Sequence, residues 1–456
     1  MLLEGFDEKE LIMKIKLISP SLRGPRNLGR DFHFPQMALA ILASLTPADI
    51  DISITDELVQ PIDFDKKVDL VGITVSTKTA VRAYEIADEF RRRNIPVVLG
   101  GIHPNVAQPE AIQHADALVL GEAEGKWEQL LEDFKNGSLK RFYHSETMPS
   151  LENCPIPRRE LFQEDKYDTI NLIQTSRGCP YACHFCSVSS LYGEGVRLRP
   201  VDDVIAEIKT LKGDEILFVD DNIFGRTRYA KQLLTRLIPL KKKWVGQAAV
   251  TVANNEEVLK HLQKSGCAGL FIGFETNSRD NLKEVGKIQN INNDYIESVK
   301  KLHDYGMAVL GSFIVGFDGD DKSCFEKLLE FVEKSKIDVV DVTVLTPYPA
   351  TVLYKRMKAE NRLIDNNWWL KYDASDVVYK PKRMTREELC QGWIMTLKEL
   401  YRLWPSLKRW IGGLGRRSLF GNYISLKANL GFRMNAYALP EKNIDGPVKS
   451  QQPIMR

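Results

Sequence analysis

Thirteen residues, Gln174-Thr175-Ser176-Arg177-Gly178-Cys179-Pro180-Tyr181-Ala182-Cys183-His184-Phe185-Cys186, constrain this 456-residue chain more than any other stretch. Their cysteines follow a C-x3-C-x2-C spacing. Three thiolates from one tight loop can hold three irons of a four-iron cluster and leave the fourth iron open to a small molecule. The rival reading is a zinc knuckle completed by His184 or a distant ligand; zinc loops more often pair two C-x2-C units, and the sequence has no second cysteine pair.

With Phe185 just before the third cysteine, the loop resembles that of the radical S-adenosylmethionine (SAM) superfamily. The resemblance implies Cys179, Cys183 and Cys186 as cluster ligands. It also implies SAM chelated at the open iron and cleaved, on reduction, to a 5′-deoxyadenosyl radical.

Upstream, short apolar runs alternate with helical patterns. Strands are expected at 14–18, 51–55, 70–75, 97–99 and 117–120, and helices at 37–45, 79–92 and 124–134, which describes a parallel sheet covered by helices. The turn Leu99-Gly100-Gly101-Ile102-His103-Pro104 follows one strand, where two glycines let a ligand approach the backbone. Such a domain binds a nucleotide, a flavin or nothing. Placed before this cysteine loop, it resembles the cobalamin-binding domain of cobalamin-dependent radical SAM enzymes, through Gly72-Ile73-Thr74-Val75-Ser76, the Gly100-Gly101 turn with His103, and Gly121-Glu122-Ala123-Glu124. Ala123 departs from the family's Gly-Glu-Gly-Glu. The resemblance implies that Thr74, Ser76, Gly100, Gly101, His103 and Glu122 contact cobalamin. Asp31-Phe32-His33 resembles the Asp-x-His loop of corrinoid methyl carriers, with Gln36 in place of its glycine. Most cobalamin-dependent radical SAM proteins lack a histidine ligand, so a packed His33 is the favoured reading over a cobalt ligand.

From 140 to 168 the pattern loosens around Pro149, Pro155 and Pro157 and reads as a linker, with Cys154 as a linker thiol. Six strand-helix units follow, with strands at 170–174, 215–219, 244–250, 269–274, 308–315 and 339–345, which describes a partial (β/α)6 barrel whose site lies at the carboxyl ends of its strands. There the sequence places Asp220-Asp221-Asn222, a variant of the family's Gly-Gly-Glu, together with Gln247, Glu275 and Ser312; the resemblance makes these and Phe185 SAM contacts. Paired carboxylates like Asp220 and Asp221 equally suit a helix cap, a divalent metal or acid-base work. Asp318 lies in an acidic turn, and Trp368 and Trp369 read as pocket wall or core. The expected architecture is therefore α/β: a Rossmann-like cobalamin domain (1–139), a linker (140–168), the barrel (169–365) and a mainly helical extension (366–456) that binds substrate, forms a lid or binds a partner.

Charge gives no global field: 63 Lys and Arg against 61 Asp and Glu leave +2, so nucleic acid is not expected. The seven cysteines do not read as a disulfide framework, and Met1 to Glu10 holds no long apolar run; the expectation is a cytoplasmic protein. Between Tyr401 and Met434 seven bases meet no acid, among Trp404, Trp410, Leu414, Leu419, Phe420 and Leu426. A helical cap over the site is the favoured reading, and peripheral membrane contact the alternative.

Together these readings point to a cobalamin-dependent radical SAM methyltransferase, which methylates an unactivated carbon of a lipid, peptide or metabolite and draws electrons from a donor such as ferredoxin or flavodoxin. The alternatives are non-methylating radical chemistry with the same cofactors (carbon–carbon bond formation, cyclisation or oxidation) and a corrinoid or iron-sulfur carrier protein.

Overall fold

The computed structural model describes residues 12–22, 32–193, 195–364 and 369–439. They form two compact units. The first holds most residues up to 166, and the second chiefly residues from 167 onward.

The first unit is a sheet of parallel strands β1 (Lys14–Ser19), β2 (Asp51–Asp56), β3 (Leu70–Thr74), β4 (Val97–Gly100), β5 (Ala117–Leu120) and β6 (Phe142–His144), in the order β2-β1-β3-β4-β5-β6. Helices α1 (Met37–Leu45), α2 (Ala80–Arg92), α3 (Ile102–Val106), α4 (Gln108–Ala111) and α5 (Lys126–Lys135) connect the strands. The central strands β3, β4 and β5 are near-continuous runs of buried aliphatic residues, as parallel strands covered on both faces require, whereas β1 and β2 interleave polar residues, among them the buried Lys16. Helix α2 buries Ala80, Ala83, Tyr84, Ala87 and Phe90, one stripe at helical spacing. Strand β6 lies inside the segment read as a linker. Three residues are too few to show alternation, but Tyr143 is buried and its hydroxyl donates to Asp133 on α5 at 2.9 Å.

The second unit is the expected partial barrel. Its strands β7 (Leu172–Ile173), β10 (Glu215–Phe218), β11 (Lys243–Ala248), β12 (Cys267–Glu275), β13 (Ala308–Val315) and β14 (Val339–Val344) are parallel in the order β14-β13-β12-β11-β10-β7. An antiparallel pair, β8 (Ser176–Arg177) and β9 (Arg197–Leu198), stands apart. Helices α6 (Ser187–Tyr192), α7 (Val201–Thr210), α8 (Thr227–Leu237), α9 (Glu256–Lys264), α10 (Arg279–Glu284), α11 (Tyr295–Asp304), α12 (Ser323–Ser335) and α13 (Val352–Ala359) follow the strands. The outward residues Val340, Val342 and Val344 of β14 and Phe313 and Val315 of β13 join the helices in one apolar core. The alternate positions, Ser312, Asp341 and Thr343, face the lumen.

Helices α14 (Arg386–Leu400), α15 (Leu403–Gly412) and α16 (Leu419–Ala438) complete the unit. The sequence favoured a cap over the site. Instead, α16 crosses the opposite end of the barrel: a Cβ on Gly421 would stand 2.9 Å from the carbonyl of Ala268, and Asn429 donates to the carbonyl of Asp338 at 2.9 Å, both at the starts of barrel strands. Small and polar residues at 421, 425, 428 and 429 on the inner face of α16 permit that approach. No helix among the described residues is long and apolar enough to cross a membrane.

Candidate functional site

The cysteine loop leaves the barrel after β7, at the carboxyl end of the sheet. Strands β8 and β9 pair at its base, with Ser176 opposite Leu198 and Arg177 opposite Arg197. Gly178 has φ +93, and a Cβ there would meet the carbonyl of Gly195 at 2.5 Å, so glycine lets the two arms close. Asp220, at the end of β10, is fully buried. It accepts from the Thr175 amide at 3.1 Å, the Thr175 hydroxyl at 2.8 Å and the Ser176 hydroxyl at 2.5 Å. Burial pushes its carboxyl up to about 6 despite those bonds. Asp220 thus pins the start of the loop to the barrel. Asp221 accepts from the amide of Gly178 at 3.2 Å, and Asn222 folds back to accept from Phe224 at 3.2 Å.

The loop is tied on its far side as well. The His184 amide donates to Val285 at 2.8 Å and its Nδ1 lies 3.0 Å from the carbonyl of Glu284, which engages His184 with the α10 segment. Phe185 packs edge-on against Phe317, with centroids 6.4 Å apart. Burial raises all three thiols, Cys186 to about 11, and each of the three lies within the electrostatic reach of at least one other. Gln289 donates to the Cys183 sulfur at 3.7 Å. Among the described residues no three His, Cys, Asp or Glu side chains converge on a single ion.

Inside the lumen, a polar row runs from the cysteines across the sheet. Lys287, whose charge favours the thiolates of Cys179 and Cys183, pairs with Glu275 at 2.5 Å; both are buried. Burial opposes the Lys287 charge, but Glu275 and Cys183 outweigh it and hold its pKa above the usual range. Glu275 adopts φ +66 after an irregularity in the β12–β13 register, and its carboxylate and the ammonium of Lys287 lie 2.5 and 3.1 Å from where a Cβ on Gly273 would project. Gly273 is thus glycine because the ion pair fills its side-chain space. Ser312 neighbours Gly273 across β12 and β13, and Asp341 neighbours Ser312 across β13 and β14. Burial first, then the charge of Glu275, pushes Asp341 up to about 6. Gln247 lies exposed on β11, and its carbonyl accepts from Ile223 at 3.0 Å.

In the first unit Thr74, Gly100 and Gly121 end the adjacent strands β3, β4 and β5 or follow directly after them. A Cβ on Gly101 (φ +96) would stand 2.8 Å from the amide of Val75, whereas one on Gly121 would meet nothing within 4 Å. Asn105 links the two turns, donating to the Gly101 carbonyl at 2.7 Å and accepting from the Gly121 amide at 2.6 Å. Ser76 closes a capping box with Thr79, and Glu122 is buried. This glycine-lined rim at the strand ends fits a bulky ligand tail. His103 is fully buried against Tyr84, and burial drops it to about 4, which fits a neutral core residue. His33 is also buried; its amide and carbonyl pair with the side chain and amide of Asp168. Asp31 and Trp368 lie outside the described residues. Asp318 accepts from Arg362 at 2.6 Å and from Lys382 at 2.8 Å, a salt-bridge hub rather than a pocket acid.

Sequence reasoning missed Lys287, Gln289, Asn105 and Asp341. Lys287 sits in an irregular turn after α10, and only the fold brings it to Glu275.

Residues 173–332 match the family model of the Radical SAM superfamily, residues 31–131 that of the B12 binding domain, and residues 351–412 a domain of unknown function, DUF4070. The bacteriochlorophyllide d C-12(1)-methyltransferase of Chlorobaculum tepidum is 30% identical over 387 residues, covering 82% of this chain and 84% of that protein. The hopanoid C-2 methylase of Rhodopseudomonas palustris is 29% identical over 352 residues, covering 73% and 66%. In fold, the chain is similar to the cobalamin-dependent S-adenosylmethionine radical enzyme OxsB with aqua-cobalamin and SAM bound, at TM-score 0.65 and 16% identity over 91% of this chain and 72% of that one.

Proposed function

The chain belongs to the cobalamin-dependent radical SAM enzymes, whose cofactors are a four-iron cluster, SAM and cobalamin, and we propose that it transfers a methyl group to an unactivated carbon. The observation that carries this reading is the polar row of Cys183, Lys287, Glu275, Ser312 and Asp341 inside a barrel joined to a B12-binding domain; methyltransferase names among the relatives support it.

When bound, the cluster and SAM supply a hydrogen-abstracting radical and cobalamin supplies the methyl group. In this reading Cys179, Cys183 and Cys186 hold three irons, and Asp220, Thr175 and Ser176 keep their loop in place. Lys287 offsets negative charge beside the thiolates and, with Glu275, Asp221 and Ser312, orients SAM. Thr74, Ser76, Gly100, Gly101 and Glu122 cradle cobalamin. Among the described residues the carboxyl of Asp341 makes no hydrogen bond or ion pair, so it is left to accept from an N–H or O–H of whatever occupies the lumen.

The test is anaerobic reconstitution with cobalamin, iron and sulfide, then reduction with SAM carrying a deuterated methyl group. About one cobalt and four irons per chain, deoxyadenosine release, and label recovered with the extracted corrinoid are expected. Deoxyadenosine without corrinoid label would replace methyl transfer by other radical chemistry, and label without deoxyadenosine would favour a carrier.

A further inference from the structure

We propose that the α15–α16 hairpin docks this protein on a membrane surface rich in anionic lipid. Among the described residues, nine of the 21 large apolar side chains that are exposed fall between Leu403 and Tyr437. On α16, Leu419, Tyr423, Leu430 and Met434 recur at steps of four and seven, one face of a helix, and Leu419 is 87% exposed. The opposite face, at 421, 425, 428 and 429, is buried on the barrel base. On α15, Trp404, Lys408 and Ile411 share a face, and Trp404 is 70% exposed.

Charge identifies the occupant. Residues 400–440 contain no Asp or Glu and seven Lys or Arg. Four of these bases are engaged within the unit: Arg417 stands 3.2 Å from the buried Asp338 and Arg409 donates to Asn429 at 3.0 Å, which locks the hairpin as a rigid platform, while Lys427 pairs with Asp168 and Arg433 donates to the carbonyl of Tyr401 at 2.7 Å. Arg402, Lys408 and Arg416 face solvent, the first two pairing with the exposed Glu399 and Glu333. The turns at the same end of the barrel add exposed Lys212, Lys241, Lys243, Lys264 and Lys336, against Asp214, Glu215 and Asp304. Apolar anchors ringed by a positive balance match an anionic lipid surface. A second copy of the chain would set two positive faces together.

The hairpin lies at the amino ends of the barrel strands and the cysteine loop at their carboxyl ends, so docking leaves the mouth of the barrel facing away from the lipid. A 20-residue helix lying flat contributes about 30 Å of apolar stripe.

The test is flotation of the full-length, cluster-loaded protein with vesicles of phosphatidylcholine alone or with one-third phosphatidylglycerol, at low and high salt. Binding to the anionic vesicles, weakened by salt, and a loss of roughly tenfold or more in Leu419→Asp/Tyr423→Asp are expected. Both side chains are exposed, and an unchanged melting temperature shows that the variant is folded. Failure to bind anionic vesicles, or equal binding by the folded variant, would overturn the proposal. So would sedimentation showing a dimer that Leu419→Asp dissolves, which would assign the face to a second copy.

Discussion

The hydroxyl of Tyr401 serves both backbone groups of Val340, accepting from its amide at 3.1 Å and donating to its carbonyl at 2.5 Å. Two residues on, the Trp393 indole donates to the carbonyl of Val342 at 2.7 Å. Strand β14 is the edge of the open barrel, and side chains from the α14 region pair the polar groups a seventh strand would have taken. Tyr401→Phe leaves a buried amide and carbonyl unmet, and denaturant unfolding should show a loss of about 1–3 kcal/mol. A variant as stable as wild type would mean that water replaces the hydroxyl.

Lys287 and Glu275 should be coupled. Lys287→Ala leaves a buried carboxylate without its cation and should cost about 3–5 kcal/mol, whereas Lys287→Met with Glu275→Gln should recover most of the loss. Iron content should stay near wild type in the double variant while SAM affinity, read by equilibrium binding, falls at least about tenfold. Unchanged affinity would remove this pair from the SAM contacts.

Asp341 gives a pH signature. Its carboxyl titrates near 6 when folded, above the ordinary value of 3.8, because of burial and then Glu275. The folded chain therefore holds this proton more tightly than the unfolded chain, and stability falls as pH rises from about 4 to about 6. Asp341→Asn removes that loss. Its melting temperature should match wild type near pH 4 and exceed it by roughly 2–4 °C above pH 7; equal melting curves at both would show that ligand-free Asp341 is well solvated.

Gly101 and Gly121 separate conformational strain from crowding. Both have positive φ, but only at Gly101 does a Cβ meet backbone, 2.8 Å from the Val75 amide. Gly101→Ala should lose more than about 1 kcal/mol and most bound corrin, read by visible absorbance; Gly121→Ala should lose less of both.

The cysteine loop was legible because its chemistry depends on spacing, and the strands because buried parallel strands are written as apolar runs. The positions of Glu275 and Ser312 on the barrel strands were legible from their order after the loop. The pairing of Lys287 with Glu275 and the burial of Asp341 were not, because a lysine in a turn and an aspartate in an apolar strand meet these neighbours only once the sheet is formed. Asp220 was read as a SAM contact, yet its described hydrogen bonds all go to Thr175 and Ser176, a second layer behind the loop that the Asp-Asp-Asn run alone does not distinguish. The tail's composition was plain from the sequence, but its place at the barrel base depends on partners some 80 to 90 residues upstream, Asp338 above all.

That last dependence sets the unit of exchange between relatives. Arg417 and Asn429 both reach back to Asp338, whose carboxylate also accepts from His303 and from the Val309 amide at 2.8 Å. A chimera that takes the barrel from one protein and the tail from another would strand a buried charge at the junction. The family-model match that ends at residue 412 falls between α15 and α16 and so would divide Arg409 from Asn429. Recombination that keeps residues 169–438 together inherits a sealed barrel, and a cut at 412 inherits an open one.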